Sequence, residues 1–208
     1  MMKRNLIGLA TTALLASTLA FAPAHADDMD PAMAQAIAAV DAAMPGKLIN
    51  NPFSVKFNVE GGDARGKIVE ADGVPGGAAY NVRVKKKKKN PWDTATRIPM
   101  TADIADGETI LVSFWARAAT PPKGSDTGKI TVALQRNVDP YDAVVQEDVD
   151  LGTEWKLYTV GGTAKRSYPA DKGSLNFNLA HAKQTVELGT FYISSLGQNA
   201  DYSKYVDK

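Results

Sequence analysis

Hydrophobic and polar residues alternate in short runs through most of this sequence, and this pattern constrains its fold more than any other feature. In the run 110–116, Ile110, Val112 and Phe114 fall on one side, whereas Trp115 falls on the other. A period of two is typical of strands that bury one face in a core. Comparable runs occupy residues 53–59, 80–84, 130–135, 143–149, 155–160, 175–179 and 186–193. Clusters of Gly and Pro, interpreted as turns, separate runs at 61–62, 75–77, 121–122 and 161–162. The sequence therefore predicts an all-β fold, an antiparallel β-sandwich (jelly roll) with one N-terminal helix.

The predicted helix covers residues 28–44. Asp30 is a suitable N-cap, Pro31 fits the first helical position, and Pro45-Gly46 ends the pattern. One narrow apolar stripe recurs at helical spacing, formed by Met29, Met33, Ile37, Val40 and Met44. We expect this helix to lie across one edge or end of the sandwich. A docking helix for a partner is the alternative.

The N-terminus has the three parts of a secretory signal peptide. Lys3 and Arg4 precede an apolar run over 6–22, and Ala24-His25-Ala26 supplies a small-residue cleavage site. The run is too short and too interrupted for a membrane span, so no membrane insertion is expected after cleavage. We predict export to the periplasm or medium of a bacterium. The predicted division is a signal peptide (1–26), a helix and linker (27–52), a β-sandwich domain (53–197) and a tail (198–208) that is frayed or forms a strap.

Composition excludes several classes of partner and site. Without residues 1–26, 182 residues remain, with 22 basic and 23 acidic side chains. Such a balance gives no overall field to attract nucleic acid. The Lys85–Lys89 run is interpreted as a solvated loop, with binding of an acidic glycan as a minor alternative. There is no Cys, and His181 is the single His after cleavage, which excludes zinc sites built on thiolates or on two His ligands. No phosphate-binding Gly motif is present.

Enzymatic chemistry has little support in the sequence. No nucleophile motif accompanies His181. Paired carboxylates can hydrolyse glycosides, but the acidic residues Asp139, Asp142, Glu147, Asp148 and Asp150 are expected to be solvated. A jelly-roll polysaccharide lyase or hydrolase would need Tyr158, Tyr168 and His181 to converge.

A sugar-binding face is the better-supported hypothesis. Sugar rings stack on aromatic side chains, and their hydroxyls pair with planar polar groups, which a sandwich can present on the face opposite its core. Asn and Gln are disfavoured inside strands, so a row of them calls for an explanation. The candidates on strands are Trp115, Arg117, Gln135, Asn176 and Asn178, and those in loops are Trp92, Asn137, Tyr141 and His181. The alternative is that Trp115 packs in a second layer and that the amides lie on the solvent-exposed side of a sheet.

The order of these segments resembles the carbohydrate-binding modules of families 4, 9 and 22, which are jelly-roll domains attached to xylanases and related enzymes. The similar stretches are 80–84, Trp92, 111–118, 130–135, 153–158, 175–179 and 189–196, so the resemblance covers about residues 53–197. It implies a glycan site on a concave face, adds Arg83 to the candidates and implies a non-catalytic role. Family members often hold a structural calcium with an Asp pair where this chain has Ser194 and Ser195, which argues against calcium. No cofactor is expected.

Together, these observations predict an exported carbohydrate-binding protein that holds a polysaccharide or oligosaccharide of the β-glucan or xylan type in an aromatic and amide-lined groove. A structural or interaction protein of the cell envelope, with the same fold and no sugar, is the alternative.

Overall fold

The computed structural model describes residues 30–53 and 56–206 and contains two antiparallel sheets packed face to face. The predicted all-β sandwich with one helix is confirmed. The predicted signal peptide, 1–26, lies outside the described residues. The elements are α1 (Pro31–Ala43), β1 (Lys47–Leu48), β2 (Val59–Glu60), β3 (Ala64–Glu70), β4 (Ala78–Val84), β5 (Ala95–Pro99), β6 (Glu108–Thr120), β7 (Gly128–Arg136), β8 (Ala143–Leu151), β9 (Lys156–Thr163), β10 (Gly173–Asn178) and β11 (Gln184–Gln198). Short 3-10 turns at Pro91–Asp93 and Ala170–Lys172 precede β5 and β10.

The strands form a five-stranded and a six-stranded sheet. The five-stranded sheet has the order β2-β5-β10-β7-β8. The six-stranded sheet has the order β3-β4-β11-β6-β9, and β1 pairs with the second half of β11. The long strand β11 is central because β4 and β1 pair along one side of it and β6 along the other. Each sheet therefore has one face toward the shared core and one outer face.

Aromatic side chains from both sheets meet in the core. Phe177 of the five-stranded sheet makes edge contacts with Phe114 and Phe191 of the six-stranded sheet, at ring-centroid distances of 5.2 and 6.4 Å. All three rings are buried. The hydrophobic residues of each alternating run therefore lie on the side of the strand that packs against the opposite sheet.

The helix α1 lies within the predicted range, of which residues 28–29 lie outside the described residues, and its N-cap is confirmed. The carboxylate of Asp30 accepts a hydrogen bond from the N–H of Ala32 at 2.9 Å, and Pro31 occupies the first turn. No residue of α1 is fully buried, and the helix contacts β1. No helix in the described part of the chain is long and apolar enough to cross a membrane.

Several predicted strand boundaries were wrong. The run 53–59 contributes only β2, at Val59–Glu60, and residues 54–55 lie outside the described part. Strands β3 and β5 were not predicted. Gly161 and Gly162, interpreted as a turn, lie inside β9. The C-terminal segment forms a strap, because Tyr202 lies against Gly161 and the N–H of Ala200 donates to the hydroxyl of Thr109.

Candidate carbohydrate-binding face

The outer face of the five-stranded sheet carries a row of mostly polar side chains, which we call the amide face. It consists of Arg97 on β5, Ser174, Asn176 and Asn178 on β10, and Thr131, Ala133 and Gln135 on β7. The register aligns them across the sheet, because Gln135 pairs with Ser174, and Asn176 lies between Arg97 and Ala133. The alternate residues of β10, Leu175 and Phe177, fill the core. One strand therefore supplies both the core and the centre of the amide face.

The centre of this face is a floor between longer side chains. Ser174 is 0% exposed, Asn176 3% and Asn178 7%, although all three point away from the core. Arg97 is exposed on one side of β10, and Gln135 is half-buried on the other. The short side chains of β10 are thus largely covered by their longer neighbours.

Hydrogen bonds hold several amide oxygens in place. The hydroxyl of Ser174 lies 2.6 Å from the side-chain oxygen of Asn137 and 3.0 Å from that of Asn176. A guanidinium N–H of Arg97 donates to the same Asn137 oxygen at 3.3 Å. Within residues 30–53 and 56–206, the Nδ2 group of Asn176 and the whole amide of Asn178 have no hydrogen-bond partner, and neither is sealed from solvent. These groups can pair with the hydroxyls of a ligand.

His181 extends the amide face at the end of β10. The Thr131 hydroxyl donates to Asp148 at 2.6 Å and lies 2.8 Å from the Nε2 atom of His181. Because that hydroxyl has one proton, it accepts from Nε2–H, so Nδ1 of the neutral ring is an acceptor. Burial of the ring is the main cause that lowers the pKa of His181 below its ordinary value of 6.5; the Asp148 carboxylate opposes this effect, and Lys129 and Lys87 add to it. His181 is therefore neutral at pH 7.

The carboxylate of Asp148 is held in its charged form. Although its partial burial raises the pKa, three effects lower it below its ordinary value of 3.8: the hydrogen bond from Thr131, the charge that His181 carries at the low pH where Asp148 titrates, and the charge of Lys129. Lys129 lies 3.4 Å from this carboxylate. An ionised Asp148 accepts the Thr131 proton, which is consistent with the neutral tautomer assigned to His181.

Exposed aromatic side chains lie near both ends of β10. Trp92, 63% exposed, belongs to the turn Pro91–Asp93, whose Pro91 carbonyl accepts from the N–H of Ala180 at 3.0 Å, just beyond Asn178. Tyr141, 58% exposed, lies in the β7–β8 loop at the Ser174 end. Ser174 and Asn178 are about 13 Å apart along the strand. This spacing is long enough for more than one sugar ring.

Three predicted ligand residues lie on the opposite side of the molecule, so the single groove predicted from the sequence was wrong. Arg83 on β4, and Trp115 and Arg117 on β6, point outward from the six-stranded sheet. Trp115 packs beside the small cluster of Ala71, Val74 and Ala79, which matches the second-layer alternative.

The Arg117 side chain has structural partners of its own. Its Nε atom lies 2.7 Å from a carboxylate oxygen of Glu187, and its guanidinium stacks 4.8 Å from the ring centre of Trp155. The other carboxylate oxygen of Glu187 accepts from the amide of Asn81 at 2.8 Å. Glu187 is buried, so Arg117 and Asn81 compensate a charge that would be costly alone.

The remaining predicted candidates lie on the amide face or at its ends. They are Trp92, Gln135, Asn137, Tyr141, Asn176, Asn178 and His181. Their role as ligand contacts stays a prediction. Arg97, Ser174 and Asp148 were missed on this side of the sheet. The alternation of Thr131 with Ile130 and Val132 places it on the same strand face as Gln135, but it was not chosen as a ligand candidate.

The tyrosines that a polysaccharide lyase or hydrolase would need are not available for catalysis at one site with His181. Tyr158 and Tyr168 are buried, and each hydroxyl has its own partner, Gly152 N–H at 3.0 Å and Asp142 at 3.0 Å respectively. Burial and the adjacent Asp142 raise the pKa of Tyr168 to about 12.

At the position where the resemblance places calcium ligands, the residues of this chain do not fit that ion. Ser195 donates to Glu108, which also accepts from the N–H of Ala105, and Ser194 is buried. Calcium prefers several carboxylate and carbonyl oxygens. Among the described residues, no group of three or more His, Cys, Asp or Glu is placed to hold a metal ion.

Among the described residues, one concavity lies away from the amide face and another lies at its β8 edge, where Asp148 is among the lining residues. The first, of about 280 Å³, is lined by Asp103, Glu108 and Tyr168, and its carboxylates accept from Ala170 and Ala105 within the fold. The second, of about 350 Å³, lies between β8, β9 and the C-terminal strap. An extended glycan is better matched by the long polar face than by these small depressions.

Comparison with known proteins identifies the family. Residues 51–185 match the sequence model of the carbohydrate binding domain family CBM_4_9. The chain belongs to this family. No curated protein matches the sequence.

Solved structures show the same CBM-type sandwich. A CBM4 structure is 20% identical, with a TM-score of 0.52; the match covers 67% of this chain and 94% of that one. The second N-terminal cellulose-binding domain of Cellulomonas fimi β-1,4-glucanase C is 18% identical, with a TM-score of 0.52 and coverage of 76% and 94%. An arabinose-bound α-L-arabinofuranosidase, MgGH51, is 16% identical, with a TM-score of 0.53; the match covers 74% of this chain and 28% of that one. At these identities the likeness concerns the fold.

Proposed function

We propose that this chain is an exported, non-catalytic protein that holds a polysaccharide of the β-glucan or xylan type along its amide face. The observation that carries this proposal is the row of polar side chains across β7, β10 and β5, in which Asn176 and Asn178 point away from the core and, among the described residues, keep unpaired amide groups. The family match supports a glycan as the ligand. The similarity to a cellulose-binding domain supports a β-linked chain.

The chemistry of the face suits a glycan. The Asn178 amide offers both a donor and an acceptor, the Asn176 Nδ2 group offers donors, and Nδ1 of His181 offers an acceptor. Sugar hydroxyls can satisfy all three. Trp92 and Tyr141 supply aromatic surface for stacking at the two ends. A few neutral hydrogen bonds plus stacking correspond to an affinity of about micromolar to millimolar.

A non-catalytic role is supported by the way the reactive groups are used. Asp142 pairs with Arg136 at 3.6 Å and Arg166 at 3.0 Å, and Asp148 is held by Thr131 and Lys129. These acids have partners within the fold, so their arrangement gives no support to a general acid and base pair.

Export is supported by the signal-type N-terminus. We expect the protein recovered from the periplasm or the medium of a bacterial host to have the mass of a chain that begins at Asp27. Intact-protein mass spectrometry checks this, and a secreted species that retains residues 1–26 would contradict it.

Binding of the full chain to a panel of soluble and insoluble glycans tests the proposed function. We expect saturable retention on at least one β-glucan or xylan. Asn178→Ala and Trp92→Ala should each weaken it about three- to tenfold, because one removes a hydrogen-bonding amide and the other a stacking surface. Affinity electrophoresis measures the effect, with circular dichroism to establish that each variant is folded.

Trp115→Phe is the matched control, because Trp115 lies on the opposite sheet. It should leave retention unchanged. If the Trp115 variant loses retention while Asn178→Ala and Trp92→Ala keep it, the binding face is the outer side of the six-stranded sheet instead. A folded protein with no retention on any glycan would favour the envelope interaction protein.

A further inference from the structure

The outer face of the six-stranded sheet carries a second feature, a ladder of basic side chains on β3 and β4. Arg65 lies directly opposite Arg83, and Lys67 lies one step along on the same face of β3. The N–H of Lys85 donates to the carbonyl of Asp63 at 2.8 Å, which continues the same pairing beyond β4 and places Lys85 two residues from Arg83. We call Arg65, Lys67, Arg83 and Lys85 the basic ladder. All four side chains are exposed.

The acidic groups beside the basic ladder are already paired elsewhere. Asp63 forms ion pairs with Lys88 and, at 3.3 Å, with Lys86. The hydrogen bond from Lys88 is the main cause that lowers the pKa of Asp63; burial opposes this effect, and Lys86 adds to it. Glu187 forms an ion pair with Arg117 and accepts a hydrogen bond from Asn81. In the parts of the chain that the structure describes, none of the four basic-ladder side chains has an ion-pair partner.

Such an arrangement is unfavourable for folding alone. Like charges directly opposite each other in a β-ladder destabilise it, and Arg65 and Arg83 form such a pair. Basic residues on an edge strand can prevent sheets from pairing edge to edge, which accounts for those on β3. That explanation does not extend to Arg83, because β4 has β3 on one side and β11 on the other.

We propose that the basic ladder is a second binding face, which takes a carboxylated polysaccharide, so that the protein binds different glycans on its two sheets. The two arginines can pair with carboxylates through two parallel hydrogen bonds, and the flat strand pair suits an extended chain. This inference goes beyond the neutral-glycan site on the amide face. It also gives a role to Arg83, which the amide face does not include.

Two other anionic partners are compared with a carboxylated polysaccharide in the test. The near-neutral overall charge gives no long-range attraction to any polyanion, so nucleic acid is distinguished from the polysaccharide by binding itself. A membrane surface would favour apolar anchors beside the charges. Ile68 is the exposed large hydrophobic residue of β3 in the described chain, and it alternates to the opposite side from Arg65 and Lys67.

The test is binding of the full chain to polygalacturonate, with xylan as the neutral comparison. The Arg65→Gln/Arg83→Gln variant should bind polygalacturonate at least about tenfold more weakly and with less dependence on salt. It should unfold at the same or a higher temperature, since it relieves the like-charge pair. The matched control is Lys123→Gln/Lys165→Gln, which removes two exposed charges elsewhere and should bind as the natural chain does.

The outcomes separate this inference from the proposed function. Asn178→Ala should leave polygalacturonate binding intact, and Arg65→Gln/Arg83→Gln should leave neutral-glycan binding intact. The inference is overturned by equal losses in both charge-removing variants or by failure to bind polygalacturonate. Tighter binding to duplex DNA or to phosphatidylglycerol vesicles would overturn it too. Loss of polygalacturonate binding in Asn178→Ala would place the anion on the amide face and equally overturn it.

Discussion

Replacing Phe177 with Ala should lower the free energy of unfolding by about 3–5 kcal/mol, the range found for large aromatic residues deleted from a packed core. Phe177 is fully buried and touches the rings of Phe114 and Phe191 on the opposite sheet. The cavity would open between the two sheets, where the neighbouring strands cannot close over it. Because Asn176 and Asn178 flank Phe177 on the same strand, we also expect weaker glycan binding. Denaturation with urea, followed by tryptophan fluorescence, measures the stability change.

Two variants make this prediction specific. Phe177→Leu keeps most of the buried volume and should cost clearly less than Phe177→Ala. Trp92→Ala deletes an aromatic side chain that is 63% exposed and should change stability by no more than about 0.5 kcal/mol. A loss below about 1 kcal/mol for Phe177→Ala would mean that the two sheets are not joined through this ring cluster.

Alternation predicted much of the fold because each strand in a sandwich buries one of its two faces in the core. The runs around Phe114, Val132 and Phe177 all became strands whose hydrophobic positions meet in one core. Alternation also placed Trp115 and Gln135 correctly, each on the side away from the core. It cannot say which of the two outer faces a strand belongs to, because strand pairing is a long-range property. For this reason the predicted site merged residues of opposite sheets.

Two residues on this side of the five-stranded sheet, Arg97 and Asp148, were missed for different reasons. Arg97 lies on β5, a strand of five residues with Thr96 at an inward position and Pro99 at its end, so its sequence lacks clear hydrophobic alternation. Asp148 lies among other acids on β8, and its link to His181 depends on Thr131, 17 residues away in sequence. Neither relation can be read from spacing along the chain.

The pair Gly161-Gly162 was interpreted as a turn because paired glycines often mark one. In β9 the two glycines serve close packing instead. A Cβ on Gly161 would lie 2.7 Å from the ring of Tyr202 in the C-terminal strap, and one on Gly162 would meet the backbone carbonyl of Val144 on β8. Gly162 therefore lets the edges of the two sheets approach at the seam between β8 and β9. A glycine needed for such an approach cannot be distinguished from a turn glycine by sequence alone.

Gly162→Ala should consequently destabilise the protein by about 1–3 kcal/mol, because the added methyl group meets backbone atoms and the sheets must separate to admit it. Gly62→Ala is the matched control, since a Cβ there has no neighbour within 4 Å. It should change the free energy of unfolding by less than about 0.5 kcal/mol. Urea denaturation of both variants, with the natural chain alongside, measures the difference. Equal stability of the two variants would show that β8 and β9 do not approach as closely as described, and that Gly162 could be replaced without moving either sheet.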